Sequence, residues 1–189
     1  MTPEEGALRR VVERLTSLGI PYMVTGSMAS SHHGRPRSSH DVDLVIDPSE
    51  DALARLVSGL AEAGFYVDAT TAHDAFRRRR QFNAIETTTA CKIDLILRKQ
   101  RAFSRQELSR RMEADLGSGL RVAIATAEDT ILAKLEWARK AGESERQLAD
   151  VAGIVAVAGA HLDRPYIERW SRDLGVLDLW RRLIEEPAK

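Results

Sequence analysis

Asp41 and Asp43 stand two residues apart in the run Asp41-Val42-Asp43-Leu44-Val45-Ile46. In a strand that spacing puts both carboxylates on one face, while Val42, Leu44 and Ile46 take the other. Like charges held so close repel unless a cation lies between them, and hard oxygen ligands with open positions suit Mg²⁺ (or Mn²⁺) shared with substrate phosphates. Upstream, with thirteen residues between Ser27 and Asp41, the chain turns through Gly26-Ser27 after Val24-Thr25. A glycine at the end of a strand and the start of a helix lets backbone N–H groups approach a phosphate closely. Each feature alone has a plainer reading, a solvated strand edge and an ordinary turn. Their order and spacing together specify a phosphate-plus-metal site.

This ordered set resembles the DNA polymerase β-type nucleotidyltransferase superfamily, in which a Gly-Ser turn is followed by Asp-x-Asp. Arg37-Ser38-Ser39-His40-Asp41-Val42-Asp43 is similar to the Arg-x-Thr-x-Asp-x-Asp of many members, with Ser39 where they have Thr. The resemblance implies a third metal-binding carboxylate on a later strand, and Lys92-Ile93-Asp94-Leu95-Ile96-Leu97 supplies Asp94. The alternation fits, since Asp94 lies opposite Ile93 and Leu95 as Asp41 lies opposite Val42. The other reading of Asp94 is an ion pair with Lys92 on the same face.

The tail extends the resemblance. Ala127-Glu128-Asp129-Thr130-Ile131-Leu132-Ala133-Lys134-Leu135, followed by Arg146-Gln147-Leu148-Ala149-Asp150-Val151, is similar to the AbiEii/AbiGii toxin-family nucleotidyltransferases. In that group one helix carries a lysine and the next a basic residue and an aspartate, which implies that Lys134, Arg146 and Asp150 join Arg37, Gly26 and Ser27 in binding nucleotide. This chain departs in having Arg146-Gln147 where Lys-Asp is common. From the residues themselves, Lys134 falls at the edge of the Ile131/Leu132/Leu135/Ala138 stripe, where its charge either meets a triphosphate or reaches water past an apolar stem. Arg146 and Asp150 have the spacing of a surface ion pair.

The elements that must position these residues read as follows. Thr2-x-x-Glu5 with Pro3 caps a helix bearing Leu8, Val11, Val12, Leu15 and Leu18, which Gly19 ends. A strand at 22–25, a helical piece at 28–33 and a strand at 41–46 come next. Asp47-Pro48-Ser49-Glu50 reads as cap, first-turn proline and returning carboxylate of a helix with Leu53, Leu56, Val57 and Leu60 on one face. Three strands are expected at 65–69, 79–86 and 91–97, the last two as a hairpin, then a short helix at 104–111 and a strand at 120–125. Everything after Thr126 reads as helix, with Thr126-x-x-Asp129 and Ser144-x-x-Gln147 as caps. The expected fold is an α/β (α+β) nucleotidyltransferase domain over 1–125, a mixed sheet flanked by helices, with an all-helical bundle over 126–189.

With 189 residues, 43% hydrophobic and 30% charged, the chain reads as one globular domain with an appendage and not as a disordered or low-complexity segment. Lys+Arg and Asp+Glu balance at 28 each, so bulk charge predicts no affinity for nucleic acid or membrane. Charge is nevertheless clustered: residues 77–111 hold eleven Lys/Arg against three acidic residues, a local +8. That segment either guides a polynucleotide or forms a solvated rim that protects strand edges. One cysteine, Cys91, an acidic N-terminus and no long apolar run fit a soluble cytoplasmic protein without membrane association. His32 and His33 read as rim residues, with no zinc-ligand spacing.

The resemblance implies a toxin-like enzyme that moves a nucleoside monophosphate from a nucleoside triphosphate to an acceptor hydroxyl and releases pyrophosphate. Asp41, Asp43 and Asp94 would bind metal and carry catalysis. The acceptor stays open between tRNA or another structured RNA, a small molecule and a protein hydroxyl, with an antitoxin protein as a further partner. The alternative is a non-catalytic module of the same fold that binds nucleotide or RNA.

Overall fold

A computed structural model describes residues 2–37, 41–117 and 119–185, so Ser38, Ser39 and His40 of the arginine-to-aspartate motif lie outside the described residues. In chain order the elements are α1 (Pro3–Ser17), β1 (Tyr22–Thr25), α2 (Gly26–His33), β2 (Val42–Ile46), α3 (Glu50–Glu62), β3 (Phe65–Tyr66), α4 (Ala69–Arg78), β4 (Gln81–Glu86) and β5 (Lys92–Leu97). They continue as α5 (Ala102–Arg110), β6 (Met112–Asp115), β7 (Arg121–Ile124), α6 (Ala127–Lys140), α7 (Glu145–Ala158), α8 (Arg164–Asp173) and α9 (Leu177–Glu185). The chain forms two compact units, Met1–Thr25 with Ser39–Ile124, and Gly26–Ser38 with Ala125–Lys189. Residues 26–37 therefore group with the C-terminal helices.

The first unit holds a seven-stranded mixed sheet in the order β3-β4-β5-β2-β1-β7-β6. β2 and β5 are parallel, as are β1 and β7, and the other neighbours are antiparallel. The hairpin expected at β4 and β5 is present. One face of the central strands is apolar and buried, with Val24, Leu44, Ile46, Ile93, Leu95, Leu97, Phe82 and Ala84. Phe65 and Glu86 share that face, and Arg10 of α1 pairs with Glu86 at 3.3 Å and lies over the Phe65 ring, which sets α1 against it. The α1 capping box forms as expected, from Thr2 and Glu5.

Three local expectations are corrected. The strand expected at 65–69 stops after Tyr66, because Asp68 accepts from Thr71 N–H and caps α4, which runs through to Arg79 in the left-handed region. Ser49, not Asp47, caps α3 through Ala52 N–H, while Asp47 pairs with Arg98 at 2.8 Å and Arg79 at 3.5 Å. Ser144 makes no side-chain cap on α7. An exposed edge strand, β6, was not expected.

The second unit is helical, with α6 and α7 packed together and α2, α8 and α9 packed on them. Thr126 caps α6 through Asp129 N–H, and the fully buried Asp129 also accepts from the Tyr166 hydroxyl at 2.6 Å. Trp180, Ile154, Val151 and Leu135 are buried here. Among the described residues no helix is long and apolar enough to cross a membrane.

Candidate active site

In the sheet unit the site is a row of polar side chains on the face opposite the apolar core. The register pairs Thr25 with Asp43, Asp43 with Asp94, and Asp94 with Asn83, so one line crosses β1, β2, β5 and β4. The same register sets Asp41 beside Lys92 in the neighbouring row. Alternation thus delivers the grouping expected from sequence: apolar side chains at 42, 44, 93 and 95 are buried on one face, and Asp41, Asp43 and Asp94 share the other.

Asp94 carries the sharpest signal. It is 7% exposed on a strand with neighbours on both sides, and its Oδ1 has no hydrogen-bond partner. Its Oδ2 is 3.1 Å from Lys92 Nζ, which also lies 3.7 Å from Asp41 Oδ1. The hydrogen bond from Lys92 to Asp94, helped by the charge of Asp41, raises the lysine above its ordinary value and keeps it cationic. The ion pair weighed for Asp94 is therefore present, yet it satisfies only one of the two carboxylate oxygens. Buried polar atoms without partners are rare, and a carboxylate oxygen opposite a second carboxylate is a donor set for a hard divalent cation. As the side chains stand, no three His, Cys, Asp or Glu residues among those described enclose a metal position; Asp41, 61% exposed, closes on Lys92 instead.

In the helical unit a second cluster forms around Asp150 of α7. Arg37 grips it with two hydrogen bonds, Nε to Oδ1 at 2.7 Å and Nη2 to Oδ2 at 3.0 Å, and Lys134 Nζ of α6 donates to Oδ2 at 2.7 Å. Arg37 Nη2 also donates to Ser27 Oγ at 2.5 Å. Gly26 opens α2 in the left-handed region at φ +63°, the conformation that the strand-to-helix corner requires. Burial alone would push the Asp150 carboxyl up, but hydrogen bonds from Arg37 and Lys134 outweigh it and hold the group below its ordinary value. Two cations thus converge on one carboxylate beside Ser27.

Lys134 does not reach water past an apolar stem: its side chain is 6% exposed and pairs with Asp150. The ion pair expected between Arg146 and Asp150 gives way to the Arg37 fork, and Arg146 is exposed one turn earlier on α7. The fork depends on a close approach: a Cβ on Gly34 would stand 2.7 Å from Ile154 N and 2.8 Å from the Gly153 carbonyl carbon. Glycine at 34 lets the segment leading to Arg37 lie on the α7 backbone. His33 donates from Nε2 to the Ala125 carbonyl at 2.7 Å, and burial pushes its pKa down, so it is a structural tie and not a rim residue.

The basic segment is partly neutralised. Arg77 and Arg78 pair with Asp74, Arg79 and Arg98 pair with Asp47, and Lys92 pairs with Asp94.

No family model matches the chain, and no curated protein sequence matches it. Solved structures do. An antigenic nucleotidyltransferase-like protein from Paracoccidioides brasiliensis has a TM-score of 0.64 at 16% identity, covering 97% of this chain and 88% of its own. The antibiotic-resistance factor ANT(2'')-Ia, in its solution structure, has a TM-score of 0.62 at 13% identity, covering 94% of this chain and 96% of its own. This chain has the nucleotidyltransferase fold. A third structure, lincomycin-bound lincosamide antibiotic adenylyltransferase LnuA, has a TM-score of 0.55 at 10% identity and covers 83% of this chain and 98% of its own.

Within this nucleotidyltransferase fold, the residues that sequence reasoning missed are Asn83, the exposed lateral partner of Asp94, and Gly34, which admits the Arg37 fork. Alternation along 79–86 could have put Asn83 on the exposed face. The expected hairpin already pairs that strand with 91–97, but it does not fix the register, which sets Asn83 opposite Asp94.

Proposed function

We propose that the chain is a metal-dependent nucleotidyltransferase that moves a nucleoside monophosphate from a nucleoside triphosphate to a hydroxyl of a small-molecule acceptor and releases pyrophosphate. The observation that carries this reading is the lateral pair Asp43 and Asp94 with one buried carboxylate oxygen unpartnered. Asp41, Asp43 and Asp94 would hold Mg²⁺ or Mn²⁺. Bound there, a divalent cation would polarise the phosphoryl oxygens and offset charge on the attacking and leaving oxygens.

Asp94 orients the acceptor hydroxyl and accepts its proton. Gly26 and Ser27 offer backbone N–H groups to the triphosphate, and Arg37 and Lys134 supply positive charge. Asp150 acts as a positioning residue, because it fixes both cations. Arg146, exposed on the same helix, is available to the outer phosphates.

A small acceptor is favoured in part because Asp74 and Asp47 pair with four of the cations in the basic segment and lower its local charge from +8 to +6, which weakens the field that an RNA backbone would meet. The related structures of ANT(2'')-Ia with adenylyl-2''-tobramycin and of lincomycin-bound LnuA have small molecules as their ligands. The remaining charge supports the second reading, a toxin-like enzyme acting on tRNA and restrained by an antitoxin. Incubation with α-labelled triphosphates, Mg²⁺ and either a panel of hydroxylated small molecules or total RNA separates the two. Label in the small-molecule fraction supports the proposal. Label confined to RNA transfers the function to the second reading, and label in neither leaves a nucleotide-binding module.

A further inference from the structure

Lys92 stands among the metal-ligand carboxylates, and the reaction proposed above gives it no task. Its ammonium spans Asp94 Oδ2 at 3.1 Å and Asp41 Oδ1 at 3.7 Å, so one resident cation holds two of the three carboxylates. The second oxygen of Asp94 is buried and unpartnered beside it. The Lys92 side chain is 38% exposed on a long flexible stem, so it can leave for water with little loss of packing, and its pair with the 61% exposed Asp41 is weak.

We propose that Lys92 is an internal competitor for the divalent cation: its ammonium bridges Asp41 and Asp94 in place of a metal and must swing to solvent before the carboxylates can take one. The proposal rests on the reading of Asp41, Asp43 and Asp94 as metal ligands. Electrostatics fix its sign. Three carboxylates and one ammonium present two net negative charges, and without Lys92 they present three. A divalent ion is drawn more strongly to the second arrangement and has nothing to displace. At separations of about 4–6 Å and an effective dielectric constant of about 20, one charge of this kind shifts affinity by roughly tenfold or more. The consequence is a site that stays unloaded until a triphosphate adds its own negative charge, so metal and nucleotide load together.

The test is Mn²⁺ binding without nucleotide, read from the electron paramagnetic resonance of the free ion, for wild type, Lys92→Met, Lys92→Arg, Asp43→Asn and the Asp43→Asn/Lys92→Met double variant. Lys92→Met is expected to bind Mn²⁺ about tenfold more tightly than wild type. Lys92→Arg should stay within about twofold of wild type, and the double variant should lose the gain. Without added metal, Lys92→Met should also melt below wild type, with saturating Mn²⁺ closing the gap. Equal Mn²⁺ affinity in wild type and Lys92→Met, with Asp43→Asn weaker than both, overturns the proposal and leaves the metal-ligand reading standing. Mn²⁺ affinity that ignores Asp43→Asn in both backgrounds removes the metal-ligand reading and the proposal with it.

Discussion

Asp43 and Asp94 face each other across the parallel strands β2 and β5, and Asp94 keeps one carboxylate oxygen without a hydrogen-bond partner. A half-satisfied carboxylate on a central strand costs the fold stability, so its presence is explained by what it binds. Asp94→Asn is therefore expected to leave the melting temperature at or above wild type while removing metal-dependent turnover. Circular-dichroism melts beside a turnover assay check this, and a loss of more than about 1 kcal/mol would make the carboxylate structural.

Asp150 behaves in the opposite way. Asp150→Asn leaves the buried Lys134 ammonium and the Arg37 guanidinium facing a neutral amide, which is expected to cost about 3–5 kcal/mol. Adding Lys134→Met should recover part of that loss, since it removes one stranded cation. Urea denaturation of the two single variants and the double variant measures the coupling.

The same carboxyl predicts an acid limb. Its folded pKa lies below the ordinary 3.8, so the folded state binds fewer protons than the unfolded chain as the pH falls into this range. Its contribution is fully present above about pH 4 and is lost as pH falls through the folded value. Wild-type stability should decline over that window more steeply than that of Asp150→Asn. Parallel slopes in chemical denaturation from about pH 6 to about pH 2 would remove Asp150 as the cause.

Gly34→Ala tests the support of the fork. The added Cβ meets the Gly153–Ile154 backbone, which cannot give as a flexible side chain would. A cost of about 1–3 kcal/mol is expected, with weakened triphosphate affinity in calorimetry because Arg37 is displaced. A variant as stable as wild type would mean that the two segments do not approach so closely.

The sheet and the carboxylate row were legible because a period of two needs no tertiary information: Asp41, Asp43 and Asp94 sort to one face by parity alone. The Gly26 corner was legible for a similar local reason. Helix α4 was not, since Thr70, Thr71 and Phe76 favour strand and the apolar stripe is only Ala72 and Ala75; the decisive signal was the Asp68 cap. Asp150 was weighed as an ion-pair partner of Arg146 because the two stand one helical turn apart. Its actual partner Arg37 is 113 residues away and is reached through Gly34, whose role depends on a contact with α7 that no local pattern encodes. The +8 segment was counted correctly from sequence, but its partners Asp74 and Asp47 lie outside the counted window: Asp74 is a helical neighbour hidden along with α4, and Asp47 is reached only in three dimensions.

Pyrophosphate release tests nucleotidyl transfer most directly, measured for wild type and Asp43→Asn with each of the four ribonucleoside triphosphates, a panel of hydroxylated acceptors, and either Mg²⁺ or excess chelator. The expected result is release from at least one triphosphate by wild type only, abolished by chelator, with one acceptor gaining the mass of a nucleoside monophosphate. Release at equal rates in Asp43→Asn, or in the presence of chelator, would contradict a catalytic centre built on the Asp43–Asp94 pair.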